Sequence, residues 1–105
     1  MKTQEFMTKT FRMKYNGIQS LRPLMVCNDG FNMSVQASEF HYCSPRCDGD
    51  IKYDAVEIGF PSEMEELLIP YAESEIKPTE TVYAYVPIEI VDAVVARHGG
   101  IRTLQ

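Results

Sequence analysis

The alternating stretch FNMSVQAS, residues 31–38, decides the fold predicted for this chain. Its apolar side chains stand at every second position, with polar ones between them: Phe31, Met33, Val35 and Ala37. Successive side chains of a strand point to opposite faces of a sheet, so this period of two predicts a strand with one buried face. The other face would present polar side chains: Asn32, Ser34 and Gln36.

Strand and turn signals continue on both sides of this stretch. Asn16-Gly17 is a strong signal for a two-residue hairpin turn, which would join strands at Thr10–Tyr15 and Ile18–Cys27. These two strands and residues 31–38 form a predicted meander. Later strands are predicted over 51–60 and 81–86. In the last of them we expect Tyr83 and Tyr85 to point away from the face that carries Val82, Ala84 and Val86.

Two helices are predicted in the second half of the chain. Ser62-Glu63-Met64-Glu65 has the pattern of a capping box, and Pro70 would end or kink the helix that it begins. Pro87 suits the first position of the second helix, and Gly99-Gly100 would stop it. The predicted fold is therefore α+β, an antiparallel sheet of about five strands with the meander first and two helices packed on one face.

Length and composition set further limits. The 105 residues suffice for a single domain over 1–105, with residues 1–9 a flexible or loosely packed N-terminus. The net charge of −5 argues against binding to nucleic-acid phosphates. No apolar run reaches the roughly 18 residues of a membrane span, and no secretory signal is apparent. An odd number of cysteines without paired spacings predicts a cytoplasmic protein.

A long loop over residues 39–50 carries the strongest ligand-binding pattern. Hydroxyl, imidazole and aromatic groups surround one arginine in and just before it: Ser38, His41, Tyr42, Ser44 and Arg46. A guanidinium among hydroxyls suits a phosphate or carboxylate, and Tyr42 would stack on a base. In the alternative reading Arg46 pairs with Asp48 or Asp50, and the hydroxyls only cap a turn.

Five residues outside this loop complete the predicted ligand-binding set. Arg22 is a further candidate for holding phosphate, and Phe60 is a second candidate for stacking. Arg102, which follows Gly99-Gly100, is a further ligand-binding candidate. Asn28 and Gln36 would read polar edges of the ligand. No cofactor and no metal is predicted.

Metal binding and catalysis are the weaker alternatives for the loop. His41, Cys43 and Cys47, with Cys27 approaching from the preceding hairpin, are sensible zinc ligands, but their spacing matches no standard zinc site. A pair of Cys43 or Cys47 with His41 is a conceivable nucleophile and base, yet no catalytic motif accompanies it. We therefore expect a protein that is not an enzyme.

Three segments carry a resemblance to a known group of proteins: NDGFNMSVQASEFHYCSPR (28–46), YDAVEIGFPSE (53–63) and TVYAYVPIEIVDAVVARHGG (81–100). Over most of residues 10–100 the chain resembles small proteins of phages and prophages, especially those of gut bacteria. Among counter-defence factors it is most similar to the first family of Thoeris anti-defence sponge proteins. The resemblance implies binding of cyclic ADP-ribose-type signals, or other cyclic oligonucleotides, at subunit interfaces and without cleavage.

Together these observations predict a phage anti-defence protein that sequesters a cyclic nucleotide immune signal. It would be a homo-oligomer in the cytoplasm of the infected bacterial host, without membrane or direct nucleic-acid binding. The alternative is an acidic inhibitor of the anti-CRISPR type, which would block the basic groove of a host nuclease. The acidic run Glu57–Glu75 favours this alternative, whose partner would be a host defence protein.

Overall fold

The computed structural model describes residues 1–11, 21–49 and 51–102. Its regular elements are two α-helices, four strands and one short 3-10 helix. In chain order they are α1 (Thr3–Lys9), β1 (Met25–Val26), β2 (Asn32–Gln36), β3 (Ala55–Gly59), the 3-10 helix Ile69–Tyr71, β4 (Val82–Pro87) and α2 (Ile88–Arg97). The α+β class is confirmed. The sheet is antiparallel, with four strands in the order β1-β2-β3-β4 rather than about five.

The alternating stretch forms β2 as predicted. Its apolar positions Met33 and Val35 are fully buried, and Val35 lies opposite Ile58 of β3. Within the described part of the predicted strand Ile18–Cys27, Met25 and Val26 form a ladder with β2. The Asn16-Gly17 turn and most of the predicted strand Thr10–Tyr15 lie outside the described residues.

The N-terminus differs from the prediction of a flexible or loosely packed segment at residues 1–9. Residues Thr3–Lys9 form α1, whose Phe6 and Met7 belong to the same hydrophobic core as the sheet. The backbone N–H of Thr3 donates to the Asp92 carboxylate of α2 at 3.0 Å, which joins the two helices. Burial of Phe6 and Met7 is the physical reason that this segment packs against the core as a helix.

The prediction of a helix that begins at Ser62-Glu63-Met64-Glu65 is wrong. Both halves of its capping box have other partners: the Ser62 hydroxyl accepts from the backbone N–H of Asn32 at 3.0 Å, and the Glu65 carboxylate bonds to Arg97 and His98. Pro70 also removes a backbone donor. The segment therefore folds as turns and the short 3-10 helix, whereas α2 forms close to where it was predicted.

A β-bulge in β4 overturns the predicted faces of that strand. Val56 lies opposite Val86 and Ile58 opposite Tyr83, so Ala84 and Tyr85 together oppose Glu57. Tyr85 takes a positive φ of 51° within this irregularity. The extra residue breaks the period of two. Tyr83 is consequently buried in the core with Val86, whereas Tyr85 is exposed.

Neither α-helix within the described ranges is long and apolar enough to cross a membrane.

Candidate functional site

The loop after β2 begins with an internally bonded turn. The Ser38 hydroxyl lies 2.6 Å from His41 Nδ1 and accepts from the backbone N–H of Phe40 at 2.9 Å. Ser38 is fully buried, and burial is the main cause that lowers the pKa of His41. These two predicted ligand-binding residues therefore shape the loop, and their bonded groups are turned toward each other.

Tyr42 is held by its backbone between two strands. Its N–H donates to the Glu57 carboxylate of β3 at 3.0 Å, and its carbonyl accepts from the N–H of Tyr85 in the bulge of β4 at 3.1 Å. The bulge thus supplies the donor that holds the loop against the sheet. As a result the side chains of Tyr42 and Tyr85 are neighbours.

Two tyrosines and one arginine form an exposed group, which we call the Tyr42 surface: Tyr42, Arg46 and Tyr85. The two tyrosine rings have centroids 5.9 Å apart and are tilted by 40°. The Arg46 guanidinium carbon lies 5.4 Å from the centroid of the Tyr42 ring, within the range of a cation–π contact. Tyr42 is 41% exposed and Tyr85 48% exposed, so both rings can be reached from solvent.

Asp48 and Asp50 are the predicted alternative partners of Arg46. Asp48 accepts a hydrogen bond from the backbone N–H of Glu39 at 3.0 Å, and Asp50 lies outside the described residues. Among the residues that the structure describes, Arg46 contacts the ring of Tyr42.

The rest of the loop is attached to the first residue of β3 and to the segment before it. Ser44 and Ala55 form an antiparallel bridge with backbone hydrogen bonds of 3.0 and 3.2 Å. The Tyr53 hydroxyl donates to the carbonyl of Cys47 at 2.7 Å. Arg46 lies between these two attachments, so little of the loop has to be ordered when a ligand binds.

Arg22 and Gln36, both predicted to touch ligand, are buried beside each other. The Arg22 guanidinium donates to the carbonyls of Met7 and Ala37, and the Gln36 amide bonds to the Arg22 backbone. Burial lowers the pKa of Arg22. The guanidinium therefore caps the last turn of α1 at the Met7 carbonyl and binds the Ala37 carbonyl just after β2, rather than facing solvent.

Two of the remaining predicted ligand residues, Asn28 and Arg102, lie apart from the Tyr42 surface. Asn28 follows β1 and donates to the Gly99 carbonyl at 2.7 Å, and the backbone N–H of Arg102 donates to Val26 of β1. Since β1 and β4 are opposite ends of the strand order, Asn28 and Arg102 are at the other edge from Tyr85. Phe60 is exposed just after β3, with a positive φ of 50°.

The structure brings no metal-ligand set together within residues 1–11, 21–49 and 51–102. Cys27 is buried beside β1 and bridges to Ile101, whereas the Cys43 thiol lies 3.2 Å from the Ser38 carbonyl in the loop. Burial raises the pKa of Cys27 to about 11 and also raises that of Cys43. Thiols so protonated are poor nucleophiles and poor metal ligands.

A polar cluster around the buried side chains of His98 and Glu65 was missed by the sequence analysis. Its Nδ1 lies 2.6 Å from the Asp29 carboxylate and its Nε2 lies 3.0 Å from that of Glu65, while the ring stacks on Phe31 at 4.0 Å. Arg97 bonds to the other Glu65 oxygen at 2.8 Å. Sequence signals placed Glu65 in a helix cap and His98 in a helix terminus, and neither pattern indicates that they meet.

Two further residues of the site were also missed or left uncertain by sequence. Tyr85 was considered only together with Tyr83, because the bulge that separates them has no sequence signal. Glu57 was counted among the acidic residues, and its contact with the Tyr42 backbone depends on how the loop folds over β3.

Comparisons with family models, curated proteins and solved structures found no match.

Proposed function

We propose that the protein is a non-enzymatic binding protein that sequesters a cyclic nucleotide signal on the Tyr42 surface. The observation that carries this proposal is the exposed guanidinium of Arg46 beside the paired rings of Tyr42 and Tyr85. A nucleotide offers both complementary groups, since its base stacks on aromatic rings and its phosphate accepts two hydrogen bonds from a guanidinium.

The biological setting of the proposal comes from the resemblance to phage counter-defence proteins. The protein would act in the cytoplasm of the infected bacterium and remove a cyclic ADP-ribose-type or cyclic oligonucleotide signal from a host effector. The proposal includes helices on one face of the sheet and ligand on the other. It also includes a homo-oligomer, since a second copy would cover a ligand that lies on an open surface.

Retention of intact ligand tests this function. Protein is mixed with cyclic ADP-ribose or a cyclic oligonucleotide and then freed of unbound ligand. The mass of the complex is measured by native mass spectrometry on one portion, and a second portion is heated to denature the protein. We expect the unmodified ligand in the supernatant after heating. Arg46→Ala should weaken binding roughly tenfold or more, because it removes a charged hydrogen-bond donor. Arg102→Ala, at the other edge of the sheet, is the matched control and should bind like wild type.

Three results would contradict the proposal in different ways. Equal retention by Arg46→Ala and wild type would place the ligand elsewhere. Recovery of a cleaved ligand would indicate an enzyme. Retention of none of the ligands, together with tight binding to a nuclease, would favour the acidic inhibitor. That second candidate is favoured by the exposed carboxylates of Glu63 and Glu66 beside the His98 cluster.

A further inference from the structure

Glu57 brings a carboxylate to the base of the Tyr42 surface. It stands in β3 between the buried Val56 and Ile58, so its side chain points to the opposite face of the sheet. The bulge of β4 passes directly opposite it. Through the backbone of Tyr42, Glu57 is one hydrogen bond away from the loop and two from Tyr85.

Only one of the two Glu57 oxygens has a partner in the described part of the chain. Oε2 accepts from the Tyr42 N–H at 3.0 Å, and Oε1 accepts no hydrogen bond there. An ionised carboxylate accepts hydrogen bonds and donates none. A ligand that reaches this oxygen must therefore present N–H or O–H groups.

We propose that Glu57 makes the Tyr42 surface selective for guanine over adenine, an inference that rests on the proposed function. The Watson–Crick edge of guanine has two neighbouring donors, N1–H and the N2 amino group, which match the two oxygens of a carboxylate. The same edge of adenine has one amino donor beside N1, which is an acceptor. Adenine would therefore direct a lone pair at a carboxylate oxygen.

The selectivity thus has an attractive and a repulsive part. Guanine gains charge-assisted hydrogen bonds to Glu57, whereas adenine loses solvation at N1 without a replacement donor. Rejection through an unmatched polar group discriminates more strongly than a small difference in stacking. The hydrogen bond from Tyr42 fixes the carboxylate beside the exposed rings before any ligand binds.

Binding of cyclic di-GMP and cyclic di-AMP to wild type and Glu57→Gln tests this inference, because the two ligands differ only in their bases. We expect wild type to bind the guanine ligand roughly tenfold to hundredfold more tightly. Glu57→Gln should reduce that ratio to near one, since an amide can donate to adenine N1 and still accept from the Tyr42 N–H. Glu75→Gln, at an exposed residue, removes the same charge and should keep the wild-type ratio.

The possible outcomes separate the inference from the function beneath it. Equal binding of both ligands by wild type, or a ratio unchanged in Glu57→Gln, overturns the role of Glu57. If Arg46→Ala still weakens binding of both ligands in that case, the proposed function stands. Failure of wild type to bind these ligands or any other cyclic nucleotide overturns the proposed function, and the inference with it.

Discussion

Two arginines that look alike in sequence have different roles in the structure. Arg22 precedes a proline and Arg46 follows one, and both were expected to hold phosphate. Arg22 instead donates to the carbonyls of Met7 and Ala37, whereas Arg46 is exposed over an aromatic ring. The contact with Met7 joins residues 15 positions apart, and no local pattern announces it. Sequence reasoning could therefore select both arginines as candidates, but it could not indicate that the fold buries Arg22 and exposes Arg46.

Substitution of Arg22 by lysine should measure this internal role. A lysine ammonium is a point donor and cannot serve both carbonyls as the planar guanidinium does. We expect Arg22→Lys to lower the free energy of unfolding by roughly 1–3 kcal/mol, the cost of one buried carbonyl left without a donor. Urea denaturation measures the change. Arg102→Lys, an exposed control, should stay within about 0.5 kcal/mol, and equal effects in both variants would refute the assignment.

At the scale of elements, helices and strands with simple periodicity were predictable. Strand β2 follows its alternating apolar pattern, and α2 begins near Pro87 and ends before Gly99-Gly100. The helix expected to begin at Ser62 does not form, because Ser62 and Glu65 bond to distant partners that outweigh a local cap. The bulge in β4 likewise depends on its pairing with β3. What failed were the predictions that depend on contacts between segments distant in sequence.

Helix α1 is the clearest element that the sequence analysis did not foresee, and its packing can be tested. Phe6 is fully buried in the common core, so Phe6→Ala removes a large apolar side chain and leaves a cavity. We expect a loss of roughly 3–5 kcal/mol in the free energy of unfolding by urea. Phe40→Ala, at a side chain that is 67% exposed, is the matched control. A cost for Phe6→Ala no larger than that of the control would mean that α1 does not belong to the core.

On the scale of the whole molecule, the His98 cluster joins three separate segments: the turn after β1, the loop before the 3-10 helix and the end of α2. Burial opposes the charged form of His98, but its bonds to Asp29 and then Glu65 outweigh burial and raise its pKa above 6.5. The Phe31 N–H and then His98 lower the pKa of Asp29. Burial acts against ionisation of Glu65, yet His98 and Arg97 lower its pKa.

These pKa shifts predict how the cluster responds to pH. The His98 contribution to stability is complete below its ordinary pKa of 6.5 and is lost as pH rises through the raised value. The contributions of Asp29 and Glu65 are present above their ordinary values of 3.8 and 4.5 and are lost as pH falls through the lowered ones. The cluster should stabilise the fold most at pH values between the pKa values of the two carboxyl groups and that of the His98 imidazole.

Comparison of wild type with His98→Gln isolates this effect. The difference in their free energies of unfolding should be larger near about pH 5.5 than near about pH 9, because the imidazolium deprotonates between these conditions. Because the pKa of His41 is lowered, its contribution to stability is lost as pH falls, which is the opposite of His98. His41 is present in both proteins, so its contribution cancels when the stability of His98→Gln is subtracted from that of wild type at each pH. A difference that is the same at both pH values would contradict the ionised cluster.

The backbone bridges along the outer strands bear on how copies of this chain can assemble. Beyond β1, Cys27 bridges to Ile101 and the Arg102 N–H bonds to Val26. Beyond β4, Ala72 bridges to Tyr83 and the Glu73 N–H bonds to Val82. Backbone of the same chain thus covers part of both edge strands, which is a common protection against strand-to-strand aggregation. At these positions of the described chain, we therefore expect copies to associate through side-chain faces rather than by extending the sheet from one copy to the next.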